Sequence, residues 1–439
     1  MRTWLEHFWS RLRTSFWFVP GSLVVLSAVI AHAIIAFDRS DASDSFTQWL
    51  QPEAVSADGV RSLLSTAATA VLTLAGLTFS ATLVALTLAS SQFGSRILRN
   101  FIRSLPNQFA LGMLLGNFVF CLIVLRAVRS AEEGEFIPHI ATLGAFLATL
   151  TSLATFIHFV HHISVSLQAD RIISSIHSEL DQAIERFFPD CRPEDPDERK
   201  ADQEKSEWET IENEIPINAN RSGYIAAINV EGLVETCAEL GVRCRVLLRP
   251  GQFVQEGSTL LAVSHDGDLE DAELQRLRRD VLLDRIRTAE QDFEFCLRQL
   301  VEVALRALSP GINDPFTAMN CIDYLGDALG KVATRKLPKR TFSDAEKVPR
   351  VRVRPTVFAD LLGAAFHQIR QAAADRADIA IRLLDVLEEI GDRAMLDTHR
   401  DAIAEHADAV LACASSVDGC DREPVEAAHR RVMEALGRS

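Results

Sequence analysis

The run "LLSTAATAVLTLAGLTFSATLVALTLA", Leu63–Ala89, decides how this chain is built. It holds no charged residue, and it exceeds the roughly 20 apolar residues that a helix needs to cross the hydrocarbon core of a bilayer. A core helix of a water-soluble domain is shorter and keeps a polar face. Its hydroxyl-bearing and small residues are also ordered. Ser62, Thr66, Thr69, Thr73, Gly76, Ser80, Thr87 and Ser91 recur at steps of four and three, with Val84 filling one gap, so they form a stripe along one helical face.

Three further runs have the same character, Phe16–Phe37, Phe109–Val128 and Ile137–Ile163, and four transmembrane helices are expected. Ala31-His32-Ala33 imitates a signal cleavage site, but the apolar stretch continues past it, so the first run reads as an uncleaved anchor. Arg2, Arg11 and Arg13 precede the first run, and Arg96, Arg99 and Arg103 lie between the second and third. By the positive-inside rule both segments face the cytoplasm, while the acid-bearing stretches Asp38–Asp58 and Glu132–Glu135 face the other side. Both termini are then cytoplasmic in a multi-pass protein of the bacterial inner membrane. Arg126 lies near the outer end of its run and can snorkel toward Glu132 and Glu133.

Charge divides the 439 residues sharply. Met1–Asp170 carries ten arginines against ten carboxylates, so the whole net charge of −15 falls on the remainder. Such an acidic surface excludes a nucleic-acid partner, which needs a basic stripe. The eight cysteines form no C-x-x-C pair, so neither a disulfide nor a zinc site is expected.

The domain plan that follows is 1–170, four transmembrane helices; 171–213, a helical extension and a charged linker; 214–265, a small β-domain; and 266–439, a helical bundle. The extension continues the fourth span over Ser164–Phe188, and "PDCRPEDPDERKADQEKSEWE" reads as the solvated linker. From Glu214 to Val263 the pattern shortens to strands. Gly251-x-x-Val254-x-x-Gly257-x-x-Leu260 resembles the turn of lipoyl and biotinyl carriers and of barrel-sandwich modules. A carrier needs a lysine at a hairpin tip, and no lysine lies between Lys205 and Lys331, so this reads as a structural β-sandwich with no cofactor. The fold class is therefore membrane α-helical with a cytoplasmic α+β region. A long helix is expected over about Asp268–Leu308, with Ile286, Ala289, Phe293, Cys296, Leu300, Val303 and Ala307 on its seam. Further helices follow at Phe316–Ala333, Val357–Gly391, Arg393–Ala414 and Pro424–Gly437, with "RVRVRP" as a strand or extended link.

"LSPGINDP", Leu308–Pro315, punctuates that bundle. Ser309, Pro310 and Gly311 end one helix, with Gly311 as the residue suited to a left-handed conformation. Asn313 or Asp314 caps the next, and Pro315 suits its first turn. The joint is a rigid corner or a ligand site. Asp314 disfavours a phosphate there, because it sets a negative charge where the anion would sit.

"ALRALSPGINDPFTA" at Ala304–Ala318 and "LVALTLASSQFGSRILRNFIR" at Leu83–Arg103, with four spans before a cytoplasmic domain, closely resemble the bacterial predicted membrane protein family called domain of unknown function 2254. The resemblance implies an inner-membrane protein of this layout and brings no catalytic residue with it.

Other constellations offer little chemistry. His158, His161 and His162 have the spacing of metal ligands, without a carboxylate or cysteine beside them, and read as packed or interfacial. "SHDGD", Ser264–Asp268, has the residue types of a triad, but sequence neighbours do not converge as a triad does; it reads as a turn with Asp268 as helix cap. No phosphate-binding or nucleophile-elbow motif is present, and enzymatic activity is not expected. Gly112-x-x-x-Gly116, Asn117, Gly144, Ala148 and Ser152 suit close contact between membrane helices. The stripe of Thr66, Thr69, Thr73, Gly76, Ser80 and Thr87 serves either packing or the lining of a path in a homo-oligomer. Two functions fit, an oligomeric conduit or a non-conducting scaffold or sensor whose cytoplasmic part binds a partner or ligand.

Overall fold

A computed structural model describes residues 17–40, 56–93, 105–129, 136–166, 168–188, 214–264, 269–354, 356–417 and 419–438. The chain divides into two compact units, Met1–Arg171 and Ile172–Ser439. The six arginines used to orient the spans, and the linker after Phe188, lie outside the described residues.

In the first unit α1 (Phe18–Asp38), α2 (Ala57–Phe93), α3 (Leu105–Ala127) and α4 (His139–Ser166) are each long and apolar enough to cross a membrane, as the sequence predicts. α3 is the central helix: 56% of its apolar window is buried within the unit, against 17–22% for the others. The reason lies in its small residues. A Cβ on Gly112 would meet Leu23 and Pro20 of α1, and one on Gly116 would come within 2.5 Å of Ser27 Oγ, so the two glycines let α1 and α3 approach closely. On its other side α3 is fixed to α4 by Asn117, whose Nδ2 donates to Ser152 Oγ at 2.9 Å. Asp38, at the end of α1, closes the unit by accepting from the amides of Ile140 and Ala141 in the first turn of α4.

The second unit starts in α5 (Ala169–Phe187). The sequence suggests one helix running on from the fourth span, but α4 ends at Ser166 and a new helix begins at Ala169. α5 is amphipathic, burying Ile173, Ile176, Leu180 and Ile184 along one face.

The region from 214 is richer than an all-β reading. β1 (Glu214–Asn218) and β2 (Gly223–Ile228) precede a helix, α6 (Val230–Leu240), capped by Asn229 and closed by left-handed Gly241. β3 (Arg243–Val246), β4 (Phe253–Val254) and β5 (Thr259–Ser264) follow. The expected helix Asp268–Leu308 is broken into α7 (Asp271–Arg279), a strand β6 (Val281–Asp284) and α8 (Phe293–Ala307). "VLLD" alternates buried and exposed and pairs antiparallel with β2, so a period of two was hidden inside an apparently helical run. Ile286, assigned to the helical seam, is 54% exposed. Asp268 falls outside the described residues, and Glu270 stands at the N-cap of α7 instead.

α9 (Pro315–Ala333), β7 (Thr341–Ser343) and β8 (Pro349–Arg352) come next, and "RVRVRP" does supply a strand. The expected helix Val357–Gly391 is two, α10 (Phe358–Ala372) and α11 (Ala377–Arg393), turned at buried Ala373 with neither Gly nor Pro at the corner. α12 (Asp397–Cys413) and α13 (Arg422–Ala435) complete the chain. One sheet has the order β1-β5-β3-β8-β7 and the other β4-β2-β6, so strands from beyond residue 265 complete both. Ile217, Ile225, Cys244, Leu261, Val281 and Val351 from the two sheets share one core with Leu233 of α6 and Leu277 of α7.

Candidate functional site

The hydroxyl stripe of α2 points away from the other helices of its own unit. Thr66, Thr69, Thr73, Gly76, Ser80 and Thr87 are all exposed, and a Cβ on Gly76 would meet nothing. The packing line is a different one, Val60, Leu64, Ala67, Val71 and Ala75. Thr66, Thr69, Thr73 and Thr87 each donate their hydroxyl to the carbonyl four residues earlier, so these groups are satisfied without water or a partner.

At the "LSPGINDP" joint the structure assigns the cap to Asp314. Its Oδ1 accepts from the Thr317 amide at 3.1 Å, its Oδ2 accepts from the Thr317 hydroxyl at 2.6 Å, and Pro315 opens α9. The left-handed residue is Asn313, with φ of 50°, and not Gly311, whose φ is not positive. Asparagine tolerates that region better than most residues because its short polar side chain bonds locally. Ser309 donates its hydroxyl to the Arg306 carbonyl, and Asp314 N–H donates to Ala307 O at 2.8 Å. Local bonds thus account for Ser309, Asn313, Asp314 and Pro315, while Pro310 and Gly311 are exposed.

His158 and His161 are exposed, and His162 has Ser166 Oγ at 3.5 Å, which assembles no donor set. A different trio is close: donor atoms of His177, Asp181 and Asp327 lie within 4.8 Å of one another. The cation among them is already in place. Lys331 Nζ is 2.6 Å from Asp181 Oδ1 and 2.7 Å from Asp327 Oδ2, so this is an ion-pair cluster tying α5 to α9.

A cavity of about 440 Å³ in the second unit opens where four segments meet. The first is the end of α5, Phe187 and Phe188. The second is the turn Arg249-Pro250-Gly251-Gln252 between β3 and β4; the third is the start of α8; the fourth is the β7–β8 hairpin with the start of α10. Gly251 has φ of 85°, its N–H donates to Ile225 O at 2.8 Å, and a Cβ there would overlap the Asp292 carboxylate. Only glycine lets this turn press against Asp292.

Asp292 is 4% exposed and fully engaged: it caps α8 by accepting from Phe295 N at 3.0 Å, and it pairs with Arg287 through both carboxylate oxygens. Burial opposes the Arg287 charge, and the bond to Asp292 outweighs it, so the guanidinium is held charged more firmly than usual. Gln291 bonds both the N–H and the carbonyl of Ile228, fixing β2 to the start of α8. Asp360 accepts an ion pair from Arg249 at 2.9 Å, and Glu294 from Arg298 at 2.7 Å. Phe188 and Phe293 meet edge to face at 4.9 Å and form an apolar side of the cavity. Four cations, Arg249, Arg287, Lys339 and Arg354, line it against three carboxylates, a local positive surplus in a chain of net charge −15.

Sequence reading missed this site for two reasons. Arg287, Gln291 and Asp292 sit inside the stretch assigned to one long helix, and the RPGQ turn was read for its likeness to carriers alone. The pair Phe187-Phe188 at the end of an amphipathic helix was the available signal, since a helix that buries a single stripe rarely needs two adjacent phenylalanines.

Four membrane-crossing helices ahead of a mixed helical and sheet unit define a multi-pass membrane protein. The chain belongs to the family described as "Predicted membrane protein (DUF2254)", which matches residues 13–389. Uncharacterized proteins of Mycobacterium bovis and Mycobacterium tuberculosis are each 29% identical over 385 residues, spanning 86% of this chain and 73% of the relative. No solved structure matches.

Proposed function

We propose that this membrane protein is a sensor, with its termini and second unit in the bacterial cytoplasm, and that the second unit binds a small molecule in the 440 Å³ cavity. One observation carries the reading. α5 begins three residues after the last membrane helix ends and runs to Phe187, which with the following Phe188 walls the cavity. A helix of 19 residues, about 28 Å long at 1.5 Å per residue, thus joins the binding site to the fourth span in sequence. The cavity volume falls in the range of small-molecule sites, roughly 300–1,000 Å³. Native mass spectrometry of the full chain released from lipid nanodiscs tests it. The wild type should carry a small-molecule adduct that Thr356→Trp, which fills the cavity mouth, does not carry. Identical spectra from the two chains would defeat the reading.

A second reading rests on the outward-facing α2 stripe. A face of small and hydroxyl-bearing residues suits contact with further copies, around a path or without one. Cysteines at Thr69, Thr73 and Ser80 should cross-link between copies, and should react with water-soluble thiol reagents if the face lines water. Cysteines at the equally exposed Leu72 and Leu83 should do neither. Equal behaviour of the two sets would assign the stripe to lipid.

A further inference from the structure

We propose that the cavity is built for an organic anion with a flat apolar body, its negative group held by Lys339 and Arg354. This inference rests on reading the cavity as a ligand site. The acids facing the cavity are already engaged: Asp292 by Arg287 and the Phe295 amide, Asp360 by Arg249, Glu294 by Arg298. Lys339 and Arg354 differ. Among the described residues neither has a carboxylate within ion-pair distance, and both are exposed at the rim.

Their placement is the decisive feature. In the β7–β8 hairpin Thr341 pairs with Arg352, and Val353 N–H donates to Arg340 O at 2.8 Å. Lys339 and Arg354 are the residues on either arm just beyond that last bond, so both leave the hairpin at the same end. Two like charges brought to one end of a hairpin repel each other. An anion between them converts that repulsion into two charge-assisted hydrogen bonds, the second of them bidentate where Arg meets phosphate or carboxylate. Phe187, Phe188 and Phe293 line the same cavity and give it an apolar side with no polar group of their own.

The test is equilibrium dialysis of the full chain in nanodiscs of zwitterionic lipid, with empty discs as blank and three probes: 1-naphthyl phosphate, inorganic phosphate and 1-naphthol. Naphthyl phosphate should bind one per chain, with inorganic phosphate roughly tenfold weaker or more, because it leaves the apolar wall unfilled. Lys339→Gln combined with Arg354→Gln should weaken naphthyl phosphate by roughly tenfold or more, since each charged hydrogen bond is worth at least that factor. Without probe, each single variant should melt at or above the parent, because a repulsion between like charges is relieved. A double variant that binds naphthyl phosphate like the parent overturns the proposal, as does inorganic phosphate binding equally well. If naphthol binds with equal strength to parent and double variant, and Thr356→Trp blocks it, the anion assignment fails while the ligand site stands. If no probe binds and Thr356→Trp changes nothing, both fall.

Discussion

Lys331 bridges to Asp181, and the 150 residues between them recur twice more: His177 bonds Asp327 and Glu185 bonds Arg335. A constant offset over three successive turns means that α5 and α9 run parallel and in register along a ladder of charged pairs, while α5 buries Ile173, Ile176 and Leu180. If α5 carries a signal between the cavity and the fourth span, this ladder sets how firmly it is held.

Lys331→Met should therefore lower the melting temperature by only a few degrees, since its pairs are more than a third exposed and such pairs contribute about 0.2–1 kcal/mol each. The pH dependence is the sharper check. Burial raises the pKa of Asp327, but the hydrogen bonds from Lys331 and His177 outweigh it, and the net value falls below 3.8. A lowered carboxylate pKa stabilises above 3.8, and that contribution is lost as pH falls through the folded value. Burial lowers the pKa of Lys331, and Asp181 and Asp327 outweigh it, so the net value rises above 10.5. That contribution is present below 10.5 and is lost as pH rises through the folded value. Melting curves of parent and variant should differ between these limits and converge beyond both.

The joint at 308–315 gives a ranking of substitutions. Asp314→Asn should be mild, because asparagine caps nearly as well, whereas Asp314→Ala should cost about 0.5–2 kcal/mol. Asn313→Val should cost about 1–2 kcal/mol, since a β-branched residue resists φ of 50°, and Asn313→Gly should be neutral. Gly311→Val should be tolerated, as a Cβ there meets nothing and φ is not positive. Denaturant titration of the full chain checks the order. A variant Asp314→Asn that melts like the parent while abolishing function in the cell would make the joint a ligand site.

Within the membrane unit, Asn117→Val should cost about 0.6–2 kcal/mol, the range for one interhelical hydrogen bond in lipid, because Ser152 is buried and loses its donor. Gly116→Val should cost more. It removes no hydrogen bond, yet its side chain would strike Ser27 and force α1 from α3. Unfolding in mixed micelles should rank them in that order, and the reverse order would mean that α1 can move aside.

Much of this architecture was legible because the bilayer imposes length and apolarity on a span. The four runs show it, and Asp314 with Pro315 shows the same for a cap, which is a local bond between neighbours in sequence. What stayed hidden depends on distant partners. Val281–Asp284 becomes a strand because β2 offers an open edge, overriding a helical pattern on either side. The turn at Ala373 has no breaker residue and is set by packing. The cavity is assembled from segments between residues 187 and 361, and only the fold brings Lys339 and Arg354 to its rim.

His399 offers the cleanest test of a buried polar group. It is 2% exposed, stacks on Phe358 at 4.3 Å, and neither ring nitrogen has a hydrogen-bond partner. Burial pushes its pKa below 6.5, against a lesser upward pull from the Ala333 backbone, which falls outside hydrogen-bonding geometry. The folded chain therefore holds this imidazole neutral where the unfolded chain protonates it, and stability falls as pH drops below 6.5. His399→Phe keeps a flat ring against Phe358 and removes the unsatisfied nitrogens. It should raise the melting temperature, by an amount that grows as pH falls from 7 toward 5. His406, whose pKa burial and Arg370 also lower, keeps part of the pH slope in the variant. His399→Gln retains buried polar atoms and should not stabilise. Melting temperatures of the three chains across that range decide it, and an equal gain at pH 7 and pH 5 would show that His399 is not the group being titrated.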